Sequence, residues 1–275
     1  MSAVPAPGRP GIRLLAVHAH PDDETLATGV ALAHHCLLGD EVHVVTCTLG
    51  EEGEVIPAEL AHLEGSDDLG PHRAGELAGA MATLGVRHHF LGGDLPRWRD
   101  SGMAGSPAYE HPRAFARADV AEAAAVLAGQ VRAVAPDVVL TYDPEGGYGH
   151  PDHIQTHRVT VAAVASLPPD ERPVLLTVLT PVSWAQEDRR WLAEHVRGDS
   201  GVSVPAPDAP FPPSVVPDER VTHHLVAPEA VGLRDRALRH HRTQVTVHDG
   251  WFTLSNDIAA RLPVREGYTP WRFDG

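Results

Sequence analysis

Short apolar runs alternate along the chain with segments whose apolar residues recur every three or four positions. Residues 13–17 (RLLAV) are the first such run and predict a buried strand. Over residues 25–38, Leu26, Val30, Ala33 and Leu37 fall at helical spacing, and Gly39 stands where a helix C-terminus favours glycine. Residues 41–48 (EVHVVTCT) are rich in β-branched side chains and predict a second strand. A helix over residues 71–84 opens on Pro71 and stops at Gly85, and a strand follows over 86–91. Asp119 opens a long alanine-rich helix, with Glu122 three residues on as a capping-box partner. A strand at 137–141 (DVVLT), a helix at 153–165 and a strand at 174–180 continue the series. This β-α-β-α order predicts an α/β fold: a Rossmann-like, mostly parallel sheet with helices on both faces.

Near Gly198 the texture changes. Six prolines fall between Val204 and Pro217, which excludes a regular helix or central strand there. We read that stretch as a linker or flap. It leads to a smaller C-terminal α+β section with strand, helix and strand at residues 221–226, 230–241 and 244–253. The expected organisation is therefore a disordered tail (1–10), a catalytic domain (11–197) and a proline-rich linker with a smaller subdomain (198–275). No internal repeat interrupts it.

Composition narrows the function. The 275 residues carry a formal net charge of −15, which disfavours nucleic acid and anionic membranes as partners. No apolar run approaches the ~20 residues that span a bilayer, and the proline- and glycine-rich start has no signal-peptide pattern. Cys36 and Cys47 lie in apolar stretches outside any CxxC motif, as reduced thiols of a cytoplasmic protein do. The chain has no lysine, so Schiff-base chemistry and a Walker-type phosphate loop are both excluded.

Two segments concentrate the reactive side chains. His18-Ala19-His20-Pro21-Asp22-Asp23-Glu24 follows the first strand, and Tyr142 to His153 follows the strand at 137–141. Ligands of open parallel sheets bind beyond the carboxyl ends of strands, where both segments lie. Carboxylates packed so closely repel one another in a buried crevice, and a divalent cation relieves that repulsion. His20 and Asp23 are the expected metal ligands from one side and His153 from the other. Two histidines, one carboxylate and an open position describe a catalytic zinc site, and the same set suits ferrous iron. Asp22 is the expected general base. His150 is the expected acid or oxyanion-stabilising cation, tuned by Asp152, and Tyr148 is placed to donate to the same oxygen. The pairs His34-His35, His88-His89, His223-His224 and His240-His241 are read as solvated, and the GDSG run at 198–201 as a chance likeness to a serine nucleophile loop. There is neither a GxSxG elbow nor a GxGxxG loop.

These segments resemble the LmbE-like, PIG-L-type N-acetylglucosaminyl deacetylases. The matching pieces are VHAHPDDE (17–24), VTCTLGEEGEV (45–55), RWRDSGMAG (97–105) and VVLTYDPEGGYGHPDH (138–153). The likeness thins to TQV (243–245) and LSN (254–256) further on. It is strongest to the branch that deacetylates N-acetylglucosaminyl-inositol in mycothiol biosynthesis. The resemblance implies a hydrolase with one zinc or ferrous ion per subunit on His20, Asp23 and His153. It implies Asp22 as base with His150, Tyr148 and Asp152 assisting. It adds sugar or inositol contacts from Arg73, Asp100, Glu54 and Met103. The implied partner is a small amino-sugar substrate, and a homo-oligomer is left open. A sister branch, the amidase of mycothiol S-conjugates, carries a lysine soon after HPDDE and a YPHPDH motif. Here those places read TLATG and YGHPDH, which favours the deacetylase.

Overall fold

The computed structural model describes residues 11–197 and 201–273. The expected tail at 1–10 and residues 198–200 of the GDSG run lie outside the described residues.

Five parallel strands follow from the apolar runs. They are β1 (Arg13–His18), β2 (Glu41–Thr46), β3 (Arg87–Phe90), β4 (Val138–Tyr142) and β5 (Val174–Val178), in the order β3-β2-β1-β4-β5. β1 pairs in register with β2, Arg13 opposite Glu41 through His18 opposite Thr46, and with β4 on its other side, Leu14 opposite Val138. The chain thus winds outward in both directions from the β1/β4 boundary. Alternation along the strands divides the core. Leu14, Ala16, Val42, Val44 and Leu140 face one layer, while Leu15, Val17, Val45 and Val139 face the other. Helices α2 (Gly29–Leu37), α3 (Leu69–Leu84) and α8 (Val231–Leu238) cover the first face. Helices α4 (Val120–Val134) and α6 (Pro151–Ala165) cover the second. The expected α/β class is the class observed.

Local differences have local causes. The helix expected over 25–38 is two, α1 (Asp23–Ala27) and α2, broken at Thr28. Thr28 sits at φ −132° with its hydroxyl donating to the Glu24 carbonyl (2.9 Å) and meeting His18 Nε2 (2.9 Å). The α4 helix is capped as expected, Asp119 accepting from the Glu122 amide at 2.8 Å. A four-residue helical turn, α5 (Gly146–Gly149), precedes α6. The helix α7 (Val182–His195) gave no clear pattern in the sequence.

The chain beyond residue 198 builds onto the same sheet. Strand β8 (His223–Val226) pairs antiparallel with β12 (Arg265–Pro270), which pairs antiparallel with β5, and α8 packs on α2 and α3. Residues 244–253, expected as one strand, are the hairpin arms β9 (Thr246–Val247) and β10 (Trp251–Thr253), joined by β11 (Ala260–Arg261). In the proline-rich stretch, β7 (Val215–Val216) pairs with β6 (Thr180–Pro181), and the Ser214 amide donates to the Gly147 carbonyl at 3.0 Å.

Strand β12 also caps a distant helix. The buried Glu266 carboxylate accepts from the first amides of α2, Val30 at 2.6 Å and Ala31 at 2.9 Å, and from the Tyr268 hydroxyl. Burial pushes this carboxyl from an ordinary 4.5 to about 7, the hydrogen bonds opposing. A raised folded-state pKa means that the stability tied to the protonated form is complete below pH 4.5 and fades as pH rises through about 7. Over that interval the protein should lose up to about 3 kcal/mol relative to Glu266→Gln. Urea unfolding of both proteins across the range measures the gap, and a pH-independent gap would contradict the assignment.

Candidate active site

The β1/β4 boundary brings together the two loops that carry the reactive residues. His18 ends β1, and the next four residues turn into α1; Tyr142 ends β4, and its loop enters α6 at Pro151. Proline at the first helical position suits α6, and His150 is its N-cap, its Nδ1 accepting from the Asp152 amide at 3.1 Å.

Three donor atoms meet at one point. His20 Nδ1 lies 3.2 Å from Asp23 Oδ2, His153 Nε2 lies 3.3 Å from the same oxygen, and the two nitrogens are 3.3 Å apart. Tetrahedral ligands with bonds of ~2.1 Å stand about 3.4 Å apart, so the triangle fits a small divalent ion. The His150 ring stands beside His20 and His153, with a nitrogen of each within 4.8 Å of the others. On the far side of the His20 ring, Nε2 faces Asp152 Oδ2 at 3.3 Å and Asp100 Oδ1 at 3.4 Å. Burial disfavours charge on His20, yet Asp100, Asp152 and Asp23 together raise its pKa well above the ordinary value. That is a field that favours positive charge. The outer carboxylates are themselves held. Asp152 accepts from the Ser101 amide (2.8 Å) and hydroxyl (2.5 Å), and Asp100 accepts from the Gly102 and Glu52 amides at 2.8 and 3.2 Å.

The remaining expected residues fall into place around this triangle. Asp22 has φ +111°, a region L residues rarely occupy. Its carboxylate accepts from Arg73 Nη2 at 3.2 Å. Burial pushes the Asp22 carboxyl up to about 7 even though Arg73 pulls it down. Arg73, expected at the sugar, is buried and donates to the Gly50 carbonyl (2.5 Å) and the Pro21 carbonyl (2.6 Å) as well as to Asp22. A Cβ on Gly50, which has φ +66°, would stand 2.1 Å from the guanidinium, so that glycine makes room for it. Asp152, expected beside His150, turns its carboxylate to His20 and meets His150 only through its amide. Burial lowers His150 to about 3, with His20 and His153 adding to the effect. That direction favours a neutral ring over the expected imidazolium, and the Asp152 amide on Nδ1 leaves Nε2 as the hydrogen-bond donor. The Tyr148 ring lies exposed at the rim, edge-on to His153 with centroids 5.1 Å apart. Glu54 and Met103 are exposed on loops. Alongside the Asp100 loop runs a groove of about 500 Å³ lined by Glu52, Arg99, Pro107, Ala108, Glu110 and His111.

Two residues at the site carry no role in the sequence reading. Tyr142 stacks on His153 with ring centroids 4.2 Å apart and accepts from the Ala19 amide at 3.0 Å, so it braces both loops. Its place as the last residue of β4 is the available signal. His241, read as half of a solvated pair, is fully buried.

Sheet order and donor set together define a class: Rossmann-like α/β proteins with a site able to hold a divalent metal at the topological switch point. Within that class the chain belongs to the PIG-L family, described as GlcNAc-PI de-N-acetylase, which matches residues 15–164. A relative from Nocardiopsis dassonvillei, named 1D-myo-inositol 2-acetamido-2-deoxy-alpha-D-glucopyranoside deacetylase, is 46% identical over 265 residues, 92% of each chain. A relative of the same name from Saccharomonospora viridis is 47% identical over 257 residues, again 92% of each. The fold is similar to that of the deacetylase in a crystal structure of a deacetylase–teicoplanin complex. There the TM-score is 0.57 at 19% identity, with 94% of this chain and 98% of that one covered.

The outer carboxylate predicts a graded effect on metal binding. Asp152→Asn should weaken zinc affinity about 10- to 100-fold, and His153→Ala, which removes a donor of the triangle, should weaken it further. Competition against a chromophoric chelator measures both, and wild-type affinity in His153→Ala would remove it from the ligand set.

Proposed function

We propose that this chain hydrolyses the acetamide of 1D-myo-inositol 2-acetamido-2-deoxy-α-D-glucopyranoside, releasing acetate and the free amine for mycothiol biosynthesis. The observation that carries the reading is the convergence of His20, Asp23 and His153 on one point with Asp22 beside it. The relatives that share the name of that activity match this chain along nearly its whole length and support the substrate.

His20, Asp23 and His153 hold the ion, zinc or ferrous iron. When bound, it supplies Lewis acidity towards the amide carbonyl and makes water nucleophilic at neutral pH. Asp22 takes the proton of the attacking water. Its raised pKa makes it a stronger base than an ordinary carboxylate, matched to neutral pH. The neutral His150 donates from Nε2 to the carbonyl oxygen as negative charge grows there. Tyr148 adds a hydroxyl donor from the rim. Collapse then breaks the C–N bond as Asp22 passes the proton it took from water to the departing nitrogen, which leaves as the amine while the acetyl group leaves as acetate. Asp152 acts through His20, whose ring it orients. On the substrate side, Asp100 has lone pairs left for a sugar hydroxyl, and Glu54 and Met103 reach the sugar or inositol from their loops. Arg73 contributes by holding Asp22 in place. No helix among the described residues is long and apolar enough to cross a membrane.

Purified, metal-loaded protein should release a primary amine from N-acetylglucosaminyl-inositol faster than it cleaves a mycothiol S-conjugate. The reverse order would make it the amidase, and no amine from either would end the hydrolase reading. Asp22→Asn should lower kcat about 10²- to 10⁴-fold with metal content unchanged. Near-normal turnover in that variant would remove Asp22 as the base. Chelation should abolish turnover, and re-addition of zinc or ferrous iron should restore it.

A further inference from the structure

The backbone at Asp22 is strained, and its strain is held in place by a chain of contacts that ends outside the segment matched by the family. The Pro21–Asp22 peptide is pinned at both ends. Its carbonyl accepts from Arg73 Nη2 at 2.6 Å, and its N–H donates to Glu24 Oε2 at 3.0 Å. With that peptide plane fixed, φ of Asp22 stays at +111° and the carboxylate keeps one direction. Glu24 is fully buried and is held in turn. Its other oxygen, Oε1, accepts from the Thr25 hydroxyl at 2.5 Å and meets His241 Nε2 at 3.1 Å. His241 is fully buried too. It follows α8 and lies well beyond residues 15–164. Its backbone is fixed, the amide donating to the Leu238 carbonyl at 3.1 Å and the carbonyl accepting from the Val245 amide at 2.9 Å.

A buried ion pair is a poor way to fill a core, since apolar residues of similar volume serve stability as well or better. Its use lies in geometry: the imidazole fixes the direction of a carboxylate that itself fixes a backbone N–H. We propose that His241 is a positioning residue which, through Glu24, locks the Pro21–Asp22 peptide and so aims the Asp22 carboxylate at the attacking water. The C-terminal section thereby completes a site whose reacting groups all come from the first part of the chain. This inference rests on the reading of Asp22 as the base.

The test is steady-state kinetics on metal-loaded protein with N-acetylglucosaminyl-inositol. His241→Ala should lower kcat about 10- to 100-fold, the scale of a misplaced catalytic group, with KM and bound metal close to wild type. His241→Gln, whose amide can donate to Glu24, should recover most of that loss. In an Asp22→Asn background, His241→Ala should cost little more, because its effect passes through Asp22. If the alanine variant does not fold, His241→Asn, too short to reach Glu24, takes its place with the same expectation. A kcat within about twofold of wild type in the folded Ala or Asn variant overturns the proposal, as does a full additional loss in the Asp22→Asn background. The two readings separate cleanly. Wild-type turnover in Asp22→Asn sinks the base assignment. A dead Asp22→Asn beside fully active His241 variants sinks only the positioning role.

Discussion

Carboxylates crowded on one imidazole are the constraint around which this site is organised. Asp23 at the start of α1, Asp152 in the first turn of α6 and Asp100 on a loop meet His20 at 3.2 to 3.4 Å. Repulsion among them grows as water is excluded, so the arrangement persists only where each oxygen has a donor and the cluster has a cation to face. The backbone amides of Ser101, Gly102 and Glu52 supply donors. The donor triangle supplies a place for the cation. Every other feature follows from holding these loops still. β1 and β4 are neighbours so that their ends converge, Tyr142 stacks under His153, and Pro151 starts α6 where His150 can cap it.

What was legible in the sequence shared a property: it was local. The apolar runs of β1, β2, β4 and β5 are continuous because both faces of a parallel sheet are covered, and continuous runs are visible without a partner. The HPDDE and YGHPDH segments were legible because chemistry-bearing residues sit within a few positions of one another at strand ends. Even Asp119 as a cap needed only its own helix. The breaks came where a distant partner decides. Thr28 interrupts a helix-like pattern because its hydroxyl has His18 and Glu24 to bond. Strand β12 (REGYTP) has no strand-like periodicity, and its Glu266 and Tyr268 become sensible only against the amides of α2, more than 230 residues away. The His240-His241 pair looked solvated because nothing nearby in sequence announces Glu24.

The same distinction explains the site residues whose surroundings differ from expectation. Arg73 and Asp152 lie at the site, but their charged groups are turned inward, towards Asp22 and His20. A motif places a residue near a centre. It does not say whether the side chain faces the substrate or the neighbour that must be held. That is a matter of how many buried acceptors and donors compete for it, and only the assembled loops set that competition.

Strain gives the two halves of the chain a common purpose. A non-glycine residue at φ +111° costs of the order of 1–3 kcal/mol, and such a backbone persists only when its surroundings over-determine it. Here Arg73 holds the peptide carbonyl, Glu24 holds the peptide N–H, and both are buried charges that need partners of their own. Arg73 finds its room beside Gly50, where no Cβ intrudes. Glu24 finds its partner in His241, three residues beyond the end of α8, a helix that packs on α2 and α3. The cap that Glu266 places on α2 steadies that same layer. A residue kept in an unfavourable conformation by buried charges, one of them partnered from the far end of the chain, is a residue whose direction is fixed, and at Asp22 that direction is set by Arg73 and Glu24.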